Sequence, residues 1–139
     1  MRRLALFLIA ICLALPAAAE RKQSFGDLEV HYNAFNSSFL QPDIAATVGL
    51  VRSKSQGVVN VAVLKAGKAS TAQVSGQVKN LLGQITQLQF KQVTEGEAIY
   101  YLAQFPFDER EMLNFTLNVQ RGDEPQHSFS FDQEFFPDE

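Results

Sequence analysis

The chain has 139 residues, a length that predicts one domain, and its composition excludes several classes of function. The formal net charge is −3, which argues against a surface that binds nucleic-acid phosphates or anionic lipids. A single cysteine, Cys12, excludes a disulfide within the chain.

The first 19 residues have the pattern of a cleaved signal peptide. Arg2 and Arg3 form a positive start, an apolar run extends from Leu4 to Leu15, and Ala17 to Ala19 supply small residues at the cleavage site. The apolar run is shorter than the ~20 residues that span a bilayer, which favours cleavage after Ala19 over an uncleaved anchor. Twin-arginine export is the alternative to Sec-type export, and the residues that flank the arginine pair favour the Sec route.

We therefore expect residues 20–139 to form one domain in the periplasm. Cys12 lies within the apolar run, and the bulky Ile11 before it argues against a lipidation site. The mature chain then has no cysteine and a net charge of about −5, because Arg2 and Arg3 leave with the signal peptide. No later segment approaches the length of a transmembrane helix, so no membrane insertion of the mature chain is expected.

The mature chain begins with a polar stretch, Glu20 to Ser24, that we expect to be frayed. Asp27 to Phe35 then alternates apolar and polar residues, the pattern of a strand with one buried face. Leu28, Val30 and Tyr32 are on the face that is predicted to join the core.

A polar turn and a short helix are predicted next. Asn36-Ser37-Ser38 favours a turn or a helix cap, because short polar side chains bond to nearby backbone groups. Phe39 and Leu40 are predicted to be buried anchors. The helix is predicted near 42–48, with Pro42 and Asp43 in its first turn and Gly49 at its end.

Leu50 to Ser53 and Val58 to Leu64 flank a short polar turn, and this spacing predicts a hairpin. Val58 to Leu64 is apolar at nearly every position, as in a strand buried on both faces. Asn60 lies within this strand, so its side chain is expected to need a hydrogen-bond partner inside the protein.

The rest of the chain alternates as a meander of strands separated by turns that contain glycine, proline or charged residues. The predicted strands are Gln73 to Leu82, Thr86 to Val93, Ala98 to Phe107, Leu113 to Val119, and His127 to Phe135. About seven or eight strands result. The fold class is therefore predicted to be all-β, an antiparallel two-sheet sandwich of the immunoglobulin type with one short helix, and a small barrel is the alternative.

No motif for a reaction class is present. A zinc site normally uses histidine or cysteine, and His31 and His127 are the only mature candidates, so no cofactor is expected. The serine-containing segments lack the strand-to-helix elbow of a serine hydrolase. Arg121-Gly122-Asp123 spells an adhesion tripeptide, but it stands where a hairpin needs a turn. These observations favour a protein without enzymatic activity.

Polar side chains concentrate between Val30 and Leu64, and this stretch holds the candidate binding residues. If these side chains converge, they form the binding surface of the protein; the alternative is that they stabilise a structural corner. The candidates are His31, Tyr32, Asn33, Asn36, Ser37, Arg52, Lys54 and Asn60.

The same stretch carries a family resemblance. The chain resembles the bacterial exported family called domain of unknown function 4426 in residues 25–27, 30–37, 39–40, 42, 51–54 and 60–61. The resemblance implies a small periplasmic protein of Gram-negative proteobacteria, and it supplies no catalytic residues.

Two functions follow as hypotheses. The first is a non-enzymatic binding or accessory module for another cell-envelope protein, which docks at a sheet edge or at the corner near Asn36. The second is a small-ligand-binding protein or hydrolase with a pocket built from His31, Tyr32, Asn33 and Arg52. A divalent-metal carrier is a third possibility, and it requires His31 and His127 to meet.

Overall fold

The computed structural model describes residues 21–53, 55–107 and 110–136, and for Val48 it describes the backbone alone. Within these residues the chain forms ten strands, one α-helix and one 3-10 turn, Ser37–Phe39. The helix α1 is Pro42–Val48. The strands are β1 Arg21–Phe25, β2 Leu28–Asn36, β3 Gln56–Lys65, β4 Lys68–Ala69, β5 Gln73–Lys79, β6 Ile85–Leu88, β7 Lys91–Glu95, β8 Ala98–Pro106, β9 Glu111–Gln120 and β10 His127–Phe135.

The strands make two antiparallel sheets. The first sheet has six strands in the order β1-β2-β3-β8-β7, with the short β4 beside β3. The second has four strands in the order β10-β9-β5-β6. The predicted class, an all-β antiparallel two-sheet sandwich with one short helix, is confirmed.

The core lies between the sheets because each contributes one apolar face with a period of two residues. Leu28, Val30 and Tyr32 are buried as predicted, and Val58 and Val63 on β3 are fully buried on its two faces. Aromatic rings fill the centre: the ring of Phe105 in the first sheet lies 5.2 Å from that of Phe115 and 5.1 Å from that of Phe135 in the second. Aromatic packing therefore takes the place of a disulfide.

Three local predictions were wrong. The stretch that was expected to be frayed contains β1, an edge strand that pairs with β2 from Arg21 to Phe25. Residues 50–53 form a loop instead of a hairpin strand, since the backbone of Val51 bonds to the side chain of Gln104. Thr86 to Val93 is two strands, because the chain leaves the second sheet after Leu88 and enters the first.

The helix α1 agrees with its prediction. Pro42 is in its first turn, where a missing N–H leaves no helical bond unmade. Gly49 ends it in the left-handed conformation, with φ of 74°. Ala45 is its buried contact with the rest of the protein. The helix lies on the connection that leaves the end of β2 and returns to the start of β3.

Candidate functional site

The two ends of the sandwich differ in polarity. At one end, which we call the apolar end, β2, β5, β8 and β10 finish and β3, β6 and β9 begin. The large apolar side chains that stay exposed among the described residues all belong to the strand ends and connections there. They are Phe39, Ile44, Val51, Leu81, Leu82, Ile85, Met112 and Phe136. Such clustering marks a docking surface, whereas isolated exposed apolar residues are ordinary.

The opposite end is charged. Lys65 Nζ lies 2.8 Å from Asp27 Oδ1 and 3.4 Å from Glu124 Oε1, and Arg121 Nη1 lies 2.6 Å from Glu124 Oε2. The hydrogen bond from Lys65 lowers the pKa of Asp27, and the one from Arg121 lowers the pKa of Glu124. The bond to Asp27 in turn raises the pKa of Lys65. This network joins the β1–β2 turn, the end of β3 and the β9–β10 turn.

An aromatic cleft of about 350 Å³ opens at the apolar end, between the ends of β2 and β10. Phe39 is 70% exposed and Phe136 is 49% exposed on its rim. Asn36 Nδ2 donates to the carbonyl of Phe136 at 2.8 Å, and Gln133 Nε2 donates to the carbonyl of Ala34 at 2.8 Å. These two hydrogen bonds join the ends of β2 and β10, so they fix the two sides of the cleft relative to each other.

A second cleft of about 330 Å³ adjoins the first. Its walls include Leu81, Leu82 and Met112, and it shares Glu134 with the aromatic cleft. Arg110 stands between the two: its Nε lies 2.8 Å from Glu134 Oε2, and its guanidinium lies 4.9 Å from the centre of the Phe136 ring. The carboxylate raises the pKa of Arg110 further. The two clefts thus form one apolar surface with a neutral ion pair at its middle.

The β5–β6 hairpin tip carries the most exposed leucines. Leu81 and Leu82 are 84% and 85% exposed. Asn80 organises the tip: its Oδ1 accepts bonds from the N–H groups of Leu82 at 3.0 Å and Gln84 at 2.9 Å. Its Nδ2 donates to Gln84 Oε1 at 2.8 Å, and Gly83 takes the positive φ of the turn. The tip is therefore a structured element that presents two leucines to solvent.

Two further cavities are less suited to chemistry. One of about 160 Å³ has Glu111 as the one ionisable group among the described residues that line it, so no pair of groups for acid–base catalysis is found there within the described part of the chain. The other is an open depression at the charged end, formed by Ser70, Thr71 and 121–124. There, the Arg121-Gly122-Asp123 segment forms the turn that the sequence predicts, with Gly122 at φ of 56°.

The predicted binding residues on β2 and β3 do not share one face. Tyr32 points into the core, where its ring lies 4.9 Å from Phe129 and 4.7 Å from Phe131. His31 and Asn33 lie on the outer face, with the ring of His31 3.1 Å from the Glu29 carboxylate. A single pocket built from His31, Tyr32, Asn33 and Arg52 is therefore excluded by geometry.

The predicted residues of the loop corner do come together. Ser37 is fully buried, and its hydroxyl exchanges two hydrogen bonds with the backbone of Ser53. Arg52 Nη2 donates to the carbonyl of Ser38 at 3.0 Å. Asn36 lines the aromatic cleft. Lys54 lies outside the described residues. In this corner, Ser37 and Arg52 therefore make structural contacts, whereas Asn36 contributes to the wall of the aromatic cleft.

Asn60 differs from its prediction. It lies opposite Asn33 in the β2–β3 ladder, on the outer face of the first sheet. Its Oδ1 is buried and has no hydrogen-bond partner among the residues that the structure describes. Within the described part of the chain, the internal partner expected for Asn60 is thus not found at Oδ1, and a polar atom that is shielded from water without a partner costs stability.

The two histidines lie on opposite sides of the first sheet. His31 faces outward from β2, whereas the ring of His127 stacks at 4.3 Å on Phe25, which packs against the core. They do not form the metal site that a carrier would need. In residues 21–53, 55–107 and 110–136, no group of three or more potential ligand side chains is found.

Several residues of the apolar end were missed from the sequence. Phe39 was expected to be a buried anchor, but the 3-10 turn directs it outward. Leu81 and Leu82 were placed in a strand predicted to end at Leu82, but β5 ends at Lys79 and both leucines lie in the turn. The usable signal was Gly83 directly after them, because glycine marks a turn, where apolar residues rarely belong. Phe136 and Met112 gave no such signal, because they continue or flank ordinary alternating strands.

Among the described residues, no helix is long and apolar enough to cross a membrane. The fold is shared with FetP of uropathogenic Escherichia coli strain F11, a protein recombinantly expressed in the periplasm of E. coli BL21(DE3). FetP is 11% identical, with a TM-score of 0.63 over 86% of this chain and 95% of that chain. A copper-bound variant of that FetP is 12% identical, with a TM-score of 0.64 over 86% and 96%. At these identities the likeness concerns the fold.

A much nearer relative is a solved DUF4426 family protein from Pseudomonas aeruginosa PAO1. It is 56% identical, with a TM-score of 0.81, and the match covers 86% of this chain and 97% of that chain. No curated protein matches the sequence. The model of the family described as "Domain of unknown function (DUF4426)" matches residues 22–138. The chain belongs to the DUF4426 family.

Proposed function

We propose that the protein is a non-enzymatic periplasmic binding module that docks another cell-envelope protein at its apolar end. The observation that carries this proposal is the aromatic cleft, where Phe39 and Phe136 are exposed on either side of a space of about 350 Å³. A few anchor side chains that become fully desolvated contribute most of the energy of a protein interface, and exposed phenylalanines on the rim of an apolar cleft can serve as such anchors when a partner covers them. An apolar side chain of the partner is the group that this space accommodates.

Both the burial of apolar surface and the small loss of conformational entropy favour docking at this cleft. Removing apolar surface from water contributes about 25 cal/mol per Å². Asn36 and Gln133 already hold the strand ends in place, so little conformational entropy is lost when the cleft fills. The surrounding charges, Arg110 and Glu134, neutralise each other and do not oppose an apolar partner.

Periplasmic location rests on the signal-peptide pattern of residues 1–19. The family match supports this division, because it begins at residue 22, just after the proposed cleavage site. Residues 20–139 would then be the mature single domain.

The rival hypothesis, a small-ligand site or hydrolase near His31, Asn33 and Arg52, has weaker support. Arg52 is engaged with the Ser38 carbonyl, and Tyr32 is on the other face of the sheet. The polar side chains of the corner thus have structural contacts, whereas Phe39 and Phe136 leave 70% and 49% of their surface exposed at the cleft.

The test is site-specific photo-crosslinking in intact cells, with a benzophenone amino acid at Phe39. The matched control places the same group at Ser130, an exposed residue on the outer face of the second sheet. We expect one predominant adduct from position 39 that disappears when Phe136→Ser is added, and no such adduct from position 130. Equal labelling at both positions, or none at 39, contradicts the proposal.

A further inference from the structure

Two polar residues occupy inward-facing positions of the second sheet at the apolar end. Leu113 is buried on β9, and a period of two residues places Glu111 on the same face. Thr86 lies directly opposite the buried Val78 in the β5–β6 ladder, so it faces the same way. Both polar residues are partly buried. The alternation of a half-buried sheet predicts apolar side chains at these positions, so core packing does not explain Glu111 and Thr86.

Glu111 and Thr86 line the cavity of about 160 Å³, which we call the side cavity. Its inner wall is apolar, because Val78, Phe107 and Leu113 are buried. The exposed or partly buried remainder of the wall is formed by Asn80, Gln84, Thr86, Pro106 and Glu111. The volume equals that of about five molecules of liquid water. A space with an apolar interior and a few polar groups at one side is typical of a site for a small molecule.

The polar groups of the side cavity differ in what they can offer a ligand. Asn80 uses both ends of its amide within the hairpin turn. The hydroxyl of Thr86 can donate one hydrogen bond and accept others. The carboxylate of Glu111 has about four acceptor positions, so a contact elsewhere in the protein leaves positions for a ligand. Because hydrogen bonds to a charged acceptor are the stronger ones, a ligand that donates to Glu111 is favoured.

The charge at the side cavity favours a cation. Glu111 is the one ionisable group among the described residues that line it. Arg110 is paired with Glu134, its Nε lying 2.8 Å from Oε2. Lys79 alternates with the buried Val78 and therefore lies on the outer face of the second sheet. Neither of these two neighbouring bases lines the side cavity.

Charged residues outside the described part of the chain do not reverse this sign. Asp108 and Glu109 follow Phe107 in the sequence, and Lys54 precedes Ser55, whose carbonyl accepts from the N–H of Phe107. The charged residues around the cavity are then four acids and three bases: Asp108, Glu109, Glu111 and Glu134 against Lys54, Lys79 and Arg110. Their sum is −1 wherever the undescribed side chains lie, so an anionic ligand is disfavoured.

We propose that the side cavity binds a small primary alkylamine in its ammonium form. The ammonium group donates to the carboxylate of Glu111 and to the hydroxyl of Thr86. The alkyl chain lies against the buried apolar wall, and a chain of about five non-hydrogen atoms, such as butylamine, has the size of the cavity. The site is distinct from the aromatic cleft and does not depend on a protein partner. Asn80 and Glu111 stand between it and the second cleft, which they also line.

The test is a titration of the purified protein with butylammonium chloride, followed by protein NMR at constant ionic strength. We expect saturable shifts of the amide signals of Thr86, Phe107 and Leu113, and no shift at Ser130 on the outer face of the second sheet. Three matched ligands separate the charge from the apolar contact: methylammonium, butanol and butyrate. Each should bind at least about tenfold more weakly than butylammonium, because each lacks either the alkyl chain or the positive charge.

Glu111→Gln should weaken the binding of butylammonium by about tenfold, since it removes the charged acceptor and keeps the shape of the side chain. Glu95→Gln, at the exposed end of β7 on the opposite end of the sandwich, removes the same charge and should leave the affinity unchanged. Unchanged thermal unfolding of Glu111→Gln excludes misfolding as the cause of any loss.

Three outcomes overturn the proposal. Butyrate or methylammonium binds as tightly as butylammonium; Glu95→Gln weakens binding as much as Glu111→Gln; or no signal shift saturates, which would mean that the cavity holds water alone. The comparison of ligands uses the unmodified protein, so it decides the question even if Glu111→Gln fails to fold.

Discussion

The hydroxyl of Ser37 and the backbone of Ser53 exchange two hydrogen bonds. Ser37 Oγ donates to the Ser53 carbonyl at 3.0 Å and accepts from the Ser53 N–H at 2.8 Å. Ser37 precedes the helix α1 and Ser53 follows it, so this contact joins the two ends of the connection between β2 and β3. Because this connection also carries Phe39 and Val51, the contact helps to determine the conformation of part of the apolar end.

Ser37→Ala should therefore destabilise the protein. The substitution leaves the Ser53 N–H and carbonyl without their partner in a buried position, at a cost of about 1–3 kcal/mol. Chemical denaturation, monitored by circular dichroism, measures this difference in the free energy of unfolding. Ser130→Ala, at an exposed position, is the control and should change stability by less than about 0.5 kcal/mol. Equal stability of the two variants would show that the Ser37–Ser53 contact contributes nothing.

Asn60→Val should leave the stability of the protein unchanged or increase it, in contrast to Ser37→Ala. The buried Oδ1 of Asn60 has no partner among the described residues, so its removal deletes an uncompensated desolvation cost. Valine also suits the strand β3, where its neighbours Val59 and Val61 are fully buried. We expect thermal unfolding at the same or a higher temperature. A loss of more than about 1 kcal/mol would mean that a bound water or ligand satisfies Asn60 in solution.

The layout of strands could be predicted from sequence wherever one face is buried. Leu28, Val30 and Tyr32 recur every second residue, so the strand and its inward face follow directly. The same rule does not show where a chain changes sheets. The alternation from Thr86 to Val93 looks continuous, although the pairing partner changes after Leu88 from β5 to β8. Pairing partners depend on contacts between distant segments, which one sequence does not reveal.

The candidate site was predicted less well, because it is recognised by apolar side chains that are exposed to solvent, and exposure depends on the folded structure. Sequence marks Phe39 as apolar, but whether it is inside or outside depends on the direction of the 3-10 turn. The binding residues were predicted from their polarity, and this criterion selected Ser37 and Arg52, which make structural contacts instead. Asn36 was placed correctly at the corner, but its role in the cleft depends on Phe136, 100 residues away.

Gly57→Ala should be strongly destabilising. A Cβ at this position would lie closer than 3.0 Å to the ring of Phe105, which is fully buried and in contact with Phe115 and Phe135. Overpacking of this kind costs about 1–3 kcal/mol. If the clash is the cause, Phe105→Leu should lose part of its own cost in the Gly57→Ala background, so that the double variant is more stable than the sum of the two single changes predicts. Strict additivity in a denaturation cycle would refute this explanation.

The ion-pair network at the charged end should make stability depend on pH. Hydrogen bonds lower the folded pKa of Asp27 from its usual 3.8 and that of Glu124 from 4.5. A lowered folded pKa contributes stability that is present above the unfolded pKa and is lost as the pH falls through the folded one. The pKa of Lys65 is raised from 10.5, so its contribution is present below 10.5 and is lost as the pH rises through the raised value.

Asp27→Asn tests the predicted loss of stability at acidic pH. The wild type should unfold at a higher temperature than the variant at neutral pH, and the difference should vanish well below pH 3.8, where the carboxyl is protonated in both states. The difference should be small and should shrink in about 1 M salt, because these groups are exposed to solvent and salt screens their attraction. Glu97→Gln, at an exposed position of the β7–β8 turn and outside the network, is the matched control. If Asp27→Asn and wild type differ equally at neutral and at strongly acidic pH, the Asp27–Lys65 ion pair is not the origin of the difference.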